Sequence, residues 1–96
     1  MQLRRTAKLE APPLSDLIAD YLATCAARNL SRNTTRLYEI ALNRFDTFAG
    51  SVDVADITPR MLRRYLFDLQ NAGLADSTIH HYFLILGFFF SSLKRD

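Results

Sequence analysis

Two stretches of this chain carry the same amphipathic face, forty-four residues apart. In the first, Thr34, Tyr38, Ala41, Leu42, Phe45 and Phe48 recur at steps of three and four, the spacing of one side of an α-helix. In the second, Leu74, Thr78, Tyr82, Leu86 and Phe89 repeat the pattern. Extended backwards, 14–45 against 58–89, the alignment holds seven identities in thirty-two pairs: Tyr21/Tyr65, Leu22/Leu66, Leu30/Leu74, Thr34/Thr78, Tyr38/Tyr82, Leu42/Leu86 and Phe45/Phe89. Average composition gives about two. Leu17/Met61, Ile18/Leu62 and Cys25/Leu69 match in character. Two copies of one helical hairpin, packed as a pseudo-twofold pair, account for this. Chance likeness between amphipathic helices is the competing account.

Punctuation residues divide the chain into four helices. Residues 1–13 read as a flexible arm ending in Ala11-Pro12-Pro13, and residues 14–96 as one domain. Ser15 is an expected N-cap for a first helix running to about Arg28, which buries Leu17, Ile18, Tyr21, Leu22 and Cys25. Ser31 is placed to cap a second helix, and Gly50 suits the left-handed position after its end. Thr58-Pro59 supplies a cap with proline at the first helical position. This third helix buries Leu62, Tyr65, Leu66 and Leu69 and stops at Gly73; Asp76 or Ser77 caps a fourth, reaching about Leu93. No segment alternates with period two, so no strand is expected.

The fourth helix is apolar on more than one side. With Tyr82, Ile85, Leu86, Phe89 and Leu93 inward, Leu84 and Phe88 point outward, and Phe83 and Phe90 lie on the flanks. A helix that is apolar all round is normally covered all round, so Leu84 and Phe88 are a candidate protein interface. Gly87, inside this helix, permits a kink or a close approach.

Charge and composition bound the partners. The net charge of +2 comes from the ends, since Leu14 to Leu93 holds seven basic against eight acidic residues. An anionic partner must therefore be argued from where individual arginines point. No apolar run approaches the 18 residues of a membrane span, and Met1 to Leu14 lacks the apolar core of a secretory signal. The single Cys25 forbids an internal disulfide, and a reducing cytoplasm is the expected location. The four tyrosines sit at repeat-matched core positions with no activating group beside them, so a nucleophilic role is disfavoured. His80 and His81 diverge by about 100° on a helix and have no further histidine or second cysteine to complete a metal site. No metal and no cofactor is expected. Arg32, Arg36 and Arg44 occupy the polar side of the second helix, and Arg60, Arg63 and Arg64 that of the third. Each set reads equally as a solvated face.

The ordered series Leu30-Ser31-x-Asn33-Thr34, Tyr38, Leu42, Phe45, then Asp56-Ile57-Thr58-Pro59, then Gly73-Leu74, Ser77-Thr78-Ile79 and Phe89-Phe90 resembles the N-terminal core-binding domain of tyrosine recombinases, the phage integrase family. The resemblance spans about Leu14 to Arg95 and rests on the order of these features, not on one motif. It implies an all-α, SAM-like four-helix orthogonal bundle that forms half of a clamp on duplex DNA near the crossover site. The partners it implies are duplex DNA, the C-terminal catalytic domain of the same protein and other protomers of a DNA-bound assembly, with no membrane. By position it carries DNA contact to Ser31, Arg32, Asn33, Thr34 and Arg36 at the start of the second helix. It carries the same to Ser77, Thr78 and His81 at the start of the fourth, and Arg44 lies on the same polar row. Short hydroxyls and helix N-termini suit phosphate.

Three positions depart from the family pattern. Glu39 and Gly87 stand where many relatives are basic, and Ala75 where many have serine, which weakens the fourth helix as a DNA contact. The family's catalytic arginine, lysine, histidine and tyrosine belong to its C-terminal domain and have no match here. The chain is therefore expected to hold DNA without cutting it, as part of a longer recombinase. A different class stays open: a SAM-like protein-interaction domain that uses the apolar fourth helix.

Overall fold

A computed structural model describes residues 12–50 and 52–94. The arm expected over 1–13 falls outside these residues, save for Pro12 and Pro13. Among the described residues four helices form the fold: α1 (Leu14–Ala27), α2 (Arg32–Ala49), α3 (Pro59–Asn71) and α4 (Asp76–Lys94). A single 3-10 turn, Val54–Asp56, lies between α2 and α3, and no strand occurs among the described residues. The domain is all-α, as its periodicity predicts.

The repeat is visible in the backbone. α1 ends at Ala27 and α3 at Asn71, forty-four residues on; α2 begins at Arg32 and α4 at Asp76, again forty-four on. Between them, Asn29 (φ 62°) and Gly73 (φ 84°) take the same left-handed conformation at matched positions. Glycine adopts it without a Cβ penalty, and asparagine is the residue that next tolerates it. After α3 the turn closes with Gly73 N–H on the Gln70 carbonyl at 3.0 Å and Leu74 N–H on the Leu69 carbonyl at 3.3 Å, the paired bonds of a Schellman ending.

The other ends follow local chemistry, with three corrections. Ser31 and Thr58 cap α2 and α3 by accepting the N–H of Thr34 and of Met61. Ser15 does not cap α1. The helix starts two residues earlier than a Ser15 cap implies because Leu14 is buried, and Pro13 stands at the cap with its carbonyl accepting from Asp16 and Leu17. Nor does Asp76 or Ser77 stand outside α4. Asp76 is its first residue, the Ala75 carbonyl accepts from Ile79, and the acid sits in the first turn where the helix dipole favours it. Gly50 follows α2 with φ 73° and ψ −153°, a region open essentially to glycine, and not the αL conformation its position predicts.

Rings hold the helices together. Phe45 of α2 meets Tyr65 of α3 edge-on at 5.1 Å and Phe90 of α4 edge-on at 6.1 Å. Phe48 also contacts Tyr65, at 5.1 Å, and Phe83 stacks on its other side at 5.9 Å. Tyr21 of α1 meets Phe89 edge-on at 5.5 Å. Tyr38 and Phe45, seven residues apart on α2, touch Phe88 and Phe90, only two apart and on opposite flanks of α4. So α2 runs across α4 and not along it. Ala41, Leu42, Leu69 and Ile85 complete the buried core, while Leu17, Tyr21, Leu22, Tyr38, Leu62, Leu66 and Leu93 pack half-buried at its margin.

Gly87 does neither thing its position allows. α4 is unbroken through it, and a Cβ there would meet no atom within 4 Å. Gly87→Ala is therefore expected to raise stability by about 0.5–1 kcal/mol, through helix propensity alone. Thermal or denaturant unfolding checks this, and a loss of stability would show that the site is not open.

Candidate nucleic-acid interface

The start of α2 is built by its cap. Ser31 Oγ accepts the Thr34 N–H at 3.1 Å and donates its own proton to Thr34 Oγ1 at 2.8 Å. The Ser31 hydroxyl is thereby committed to the turn, whereas the Thr34 hydroxyl keeps a proton to donate. The Ser31 carbonyl accepts from Thr35. The N–H groups of Arg32 and Asn33 precede these bonds and, as first-turn donors, have no partner inside the helix. Arg32, Asn33 and Arg36 are exposed and Thr34 is half-buried. Unpaired N–H groups, a hydroxyl donor and two guanidinium groups thus meet at the positive end of a helix dipole. That combination favours an anion.

The α4 residues form a row of their own. Ser77, His81, Leu84 and Phe88 follow one another at steps of four, three and four, so they share one stripe of the helix, and all four are exposed. Phe88 stacks on Tyr38 at 6.4 Å, and Tyr38 lies one turn beyond Thr34. The stripe therefore meets α2 on its Tyr38 face, whereas Arg36 projects from the other side of that helix. Thr78 is half-buried beside the stripe. Chemically the two starts differ, because Asp76 already complements the α4 dipole and opposes a phosphate there. Leu84 and Phe88 are 43% and 50% exposed, so the outward apolar side expected of this helix is present.

Arg44 does not belong to the outward row. It is half-buried, and its Nε is shielded from solvent without a hydrogen-bond partner. The reason is helical phase. From Tyr38, Arg32 and Arg44 lie about 120° to either side and Arg36 about 160° away. The buried Ala41, Leu42 and Phe45 draw the inward direction about 15° toward Arg44. Arg44 is left tangential to the core, and its neighbour across α3 is the phenol of Tyr65. That hydroxyl is fully buried and has no partner either. Burial pushes the Tyr65 phenol well above its usual range, and the Arg44 guanidinium only partly opposes the shift. Burial also lifts Tyr21 to about 12, aided by the adjacent Cys25.

His80 and His81 are both exposed, with ring centroids 6.1 Å apart. Among the described residues no group of three metal-ligating side chains converges, and no helix is long and apolar enough to cross a membrane. All four tyrosines pack in or beside the core.

Residues 17–96 match the family described as phage integrase, N-terminal SAM-like domain. The chain belongs to this family. Its membership ties the chain to DNA recombination and integration, and the domain matched is the non-catalytic one of that family. No curated protein and no solved structure gives a significant match. The family pattern draws attention to the starts of α2 and α4 and is silent on Phe67. That ring is 63% exposed on α3, where helical phase puts it about 150° from the side buried by Leu62, Tyr65, Leu66 and Leu69.

Tyr65→Phe in this integrase domain keeps every ring contact and removes a buried hydroxyl with no partner. Its stability at neutral pH is expected to be unchanged or up to about 1 kcal/mol higher. Wild type should lose stability above the ordinary tyrosine pKa of 10.0, because the unfolded chain ionises while Tyr21 and Tyr65 keep their protons. For Tyr21 that loss runs up to about 12. Tyr65→Phe should show a shallower alkaline loss. Melting curves across this range check both, and a clear destabilisation at neutral pH would mean that the hydroxyl is bonded.

Proposed function

We propose that this domain holds duplex DNA near the crossover site of a site-specific tyrosine recombinase, while a separate catalytic domain cuts and joins the strands. The observation that carries the reading is the start of α2. Arg32 and Arg36 project from the bundle beside unpaired helix N–H groups, with the half-buried Thr34 hydroxyl at their edge and Ser77 and His81 exposed at the start of α4. Each of these groups can donate to phosphate. The two arginines supply mainly sequence-independent affinity and register; Asn33, Ser77 and His81 are the side chains with chemistry suited to base edges or further phosphates. Arg44 contributes through its flank position or not at all. No phosphoryl chemistry is assigned to these residues, since no nucleophile stands beside an activating base or a set of oxyanion donors.

A second reading, association with protein, is favoured by Leu84 and Phe88. Exposed apolar side chains one turn apart on α4 suit another domain of the same protein or a neighbouring protomer.

A salt titration of duplex binding separates them. Arg32→Ala and Arg36→Ala are each expected to weaken binding alike on all duplexes and to lower the salt slope by about one unit. Arg63→Ala, on α3, should do markedly less. The domain alone should form no covalent adduct on a suicide substrate. If the α2 changes are silent while Arg63→Ala abolishes binding, the DNA face is α3. If none of the three matters, association with protein is the better reading. Phe88→Glu should cost less than about 2 kcal/mol in the isolated domain, measured by unfolding. A larger loss would make Phe88 a core residue and remove the second reading.

A further inference from the structure

α3 carries a surface that the DNA reading leaves unused. Phe67, 63% exposed, shares one stripe of that helix with Arg60, Arg63 and Arg64, which precede it by seven, four and three residues. The stripe borders a groove of about 960 Å³ between α3 and the end of α2, where Phe48 and Met61 add apolar surface and Asp68 is the one acidic residue. Among the described residues, the side-chain hydrogen bonds are hydroxyls on nearby carbonyls or caps, and none engages these guanidinium groups. Three like charges within two turns repel one another, and an exposed phenylalanine gains nothing from water. Both costs are relieved by one kind of occupant, a partner with negative charge on its edges and an apolar group between them.

We propose that this groove docks an acidic peptide segment of another protein or domain, with one aromatic or aliphatic anchor against Phe67 and Phe48. Carboxylates then pair with Arg60, Arg63 and Arg64, and the guanidinium planes suit them in two-point contact. Asp68 accepts a backbone N–H of the bound peptide. A sugar-phosphate backbone has no N–H to give that aspartate, and it leaves the apolar part of the groove unfilled. The groove is also remote from the candidate DNA face, since Arg36 and Phe48 are twelve residues, about 18 Å, apart along α2. The proposal therefore stands or falls separately from the DNA reading.

The test uses the whole chain, isotopically labelled for amide shift mapping. It is titrated with a short peptide of aspartate and glutamate around a central Leu-Phe, with its Asn/Gln analogue, and with an oligothymidylate. The acidic peptide should move the amides of Arg60, Arg64 and Phe67. The neutral analogue should bind about tenfold more weakly. Phe67→Ala should weaken binding about fivefold without lowering the melting temperature, because its ring lies mostly in water. Should that variant fold poorly, Arg64→Gln provides the same comparison at an exposed site. Shifts confined to the start of α2, or equal binding of the charged and neutral peptides, would overturn the proposal. Tighter binding of the oligothymidylate to these same amides would also overturn it and make the groove a nucleic-acid site.

Discussion

The burial of Phe45 fixes what α2 presents to the outside. Its ring meets Tyr65 of α3 and Phe90 of α4 at 5.1 and 6.1 Å, so three of the four helices are located on one side chain. A helix has one rotational freedom about its axis, and a fully buried ring surrounded edge-on removes it. Arg36 is thereby turned nearly opposite the core, Arg32 outward, and Arg44 sideways against Tyr65. The chemistry at the start of α2 is thus a consequence of packing three turns away. The same ring contact leaves Tyr65 with a buried hydroxyl that has no partner, at the place where Arg44 withdraws its Nε. The two orphan atoms are the cost of seating aromatic rings where α2 crosses α3 and α4.

Much of this was legible in the sequence because it is written in short-range rules. The duplicated hairpin appears as matched residues, and the backbone repeats it down to the left-handed Asn29 and Gly73. Serine at position 31 and Thr58-Pro59 announce helix starts through bonds that need only three residues to form. The outward placement of Leu84 and Phe88 followed from phase, since Tyr82, Leu86 and Phe89 could not share a buried face with them.

What escaped depends on longer-range packing. Ser15 has a good capping side chain, but the buried Leu14 draws the helix start back by two residues and makes that side chain irrelevant. Asp76 and Ser77 both have capping chemistry, yet the Ala75 carbonyl takes the outer position and leaves the acid inside the first turn. Arg44 alternates correctly with Arg36 on a helical wheel centred on Tyr38. Only the burial of Ala41, Leu42 and Phe45, which moves that centre, shows it to be tangential. Phe67 stands about 150° from the side of α3 that Leu62, Tyr65, Leu66 and Leu69 bury, so phase turns it outward; what no local rule shows is the groove beside it at the end of α2.

The near-neutral body of the domain makes placement decisive for any anionic partner. Between Leu14 and Leu93 acids outnumber bases by one, so no long-range field draws DNA toward the bundle as a whole. Attraction has to be local, and the chain offers two arginine-rich places of different character. At the start of α2 the guanidinium groups stand beside helix N–H donors and hydroxyls, which match a phosphate backbone, with Leu30, Leu37 and Ile40 adding exposed apolar surface around them. On α3 they flank an exposed ring and one carboxylate, which matches a side chain between charges. The α4 stripe meets α2 at Tyr38, with Ser77 and His81 at one end and Leu84 and Phe88 at the other, and Phe88 lies about 10 Å farther along that helix than His81. A phosphate backbone held by Arg36, about 160° around α2 from Tyr38, therefore leaves Leu84 and Phe88 uncovered, and contact with DNA there does not compete with contact with protein on α4.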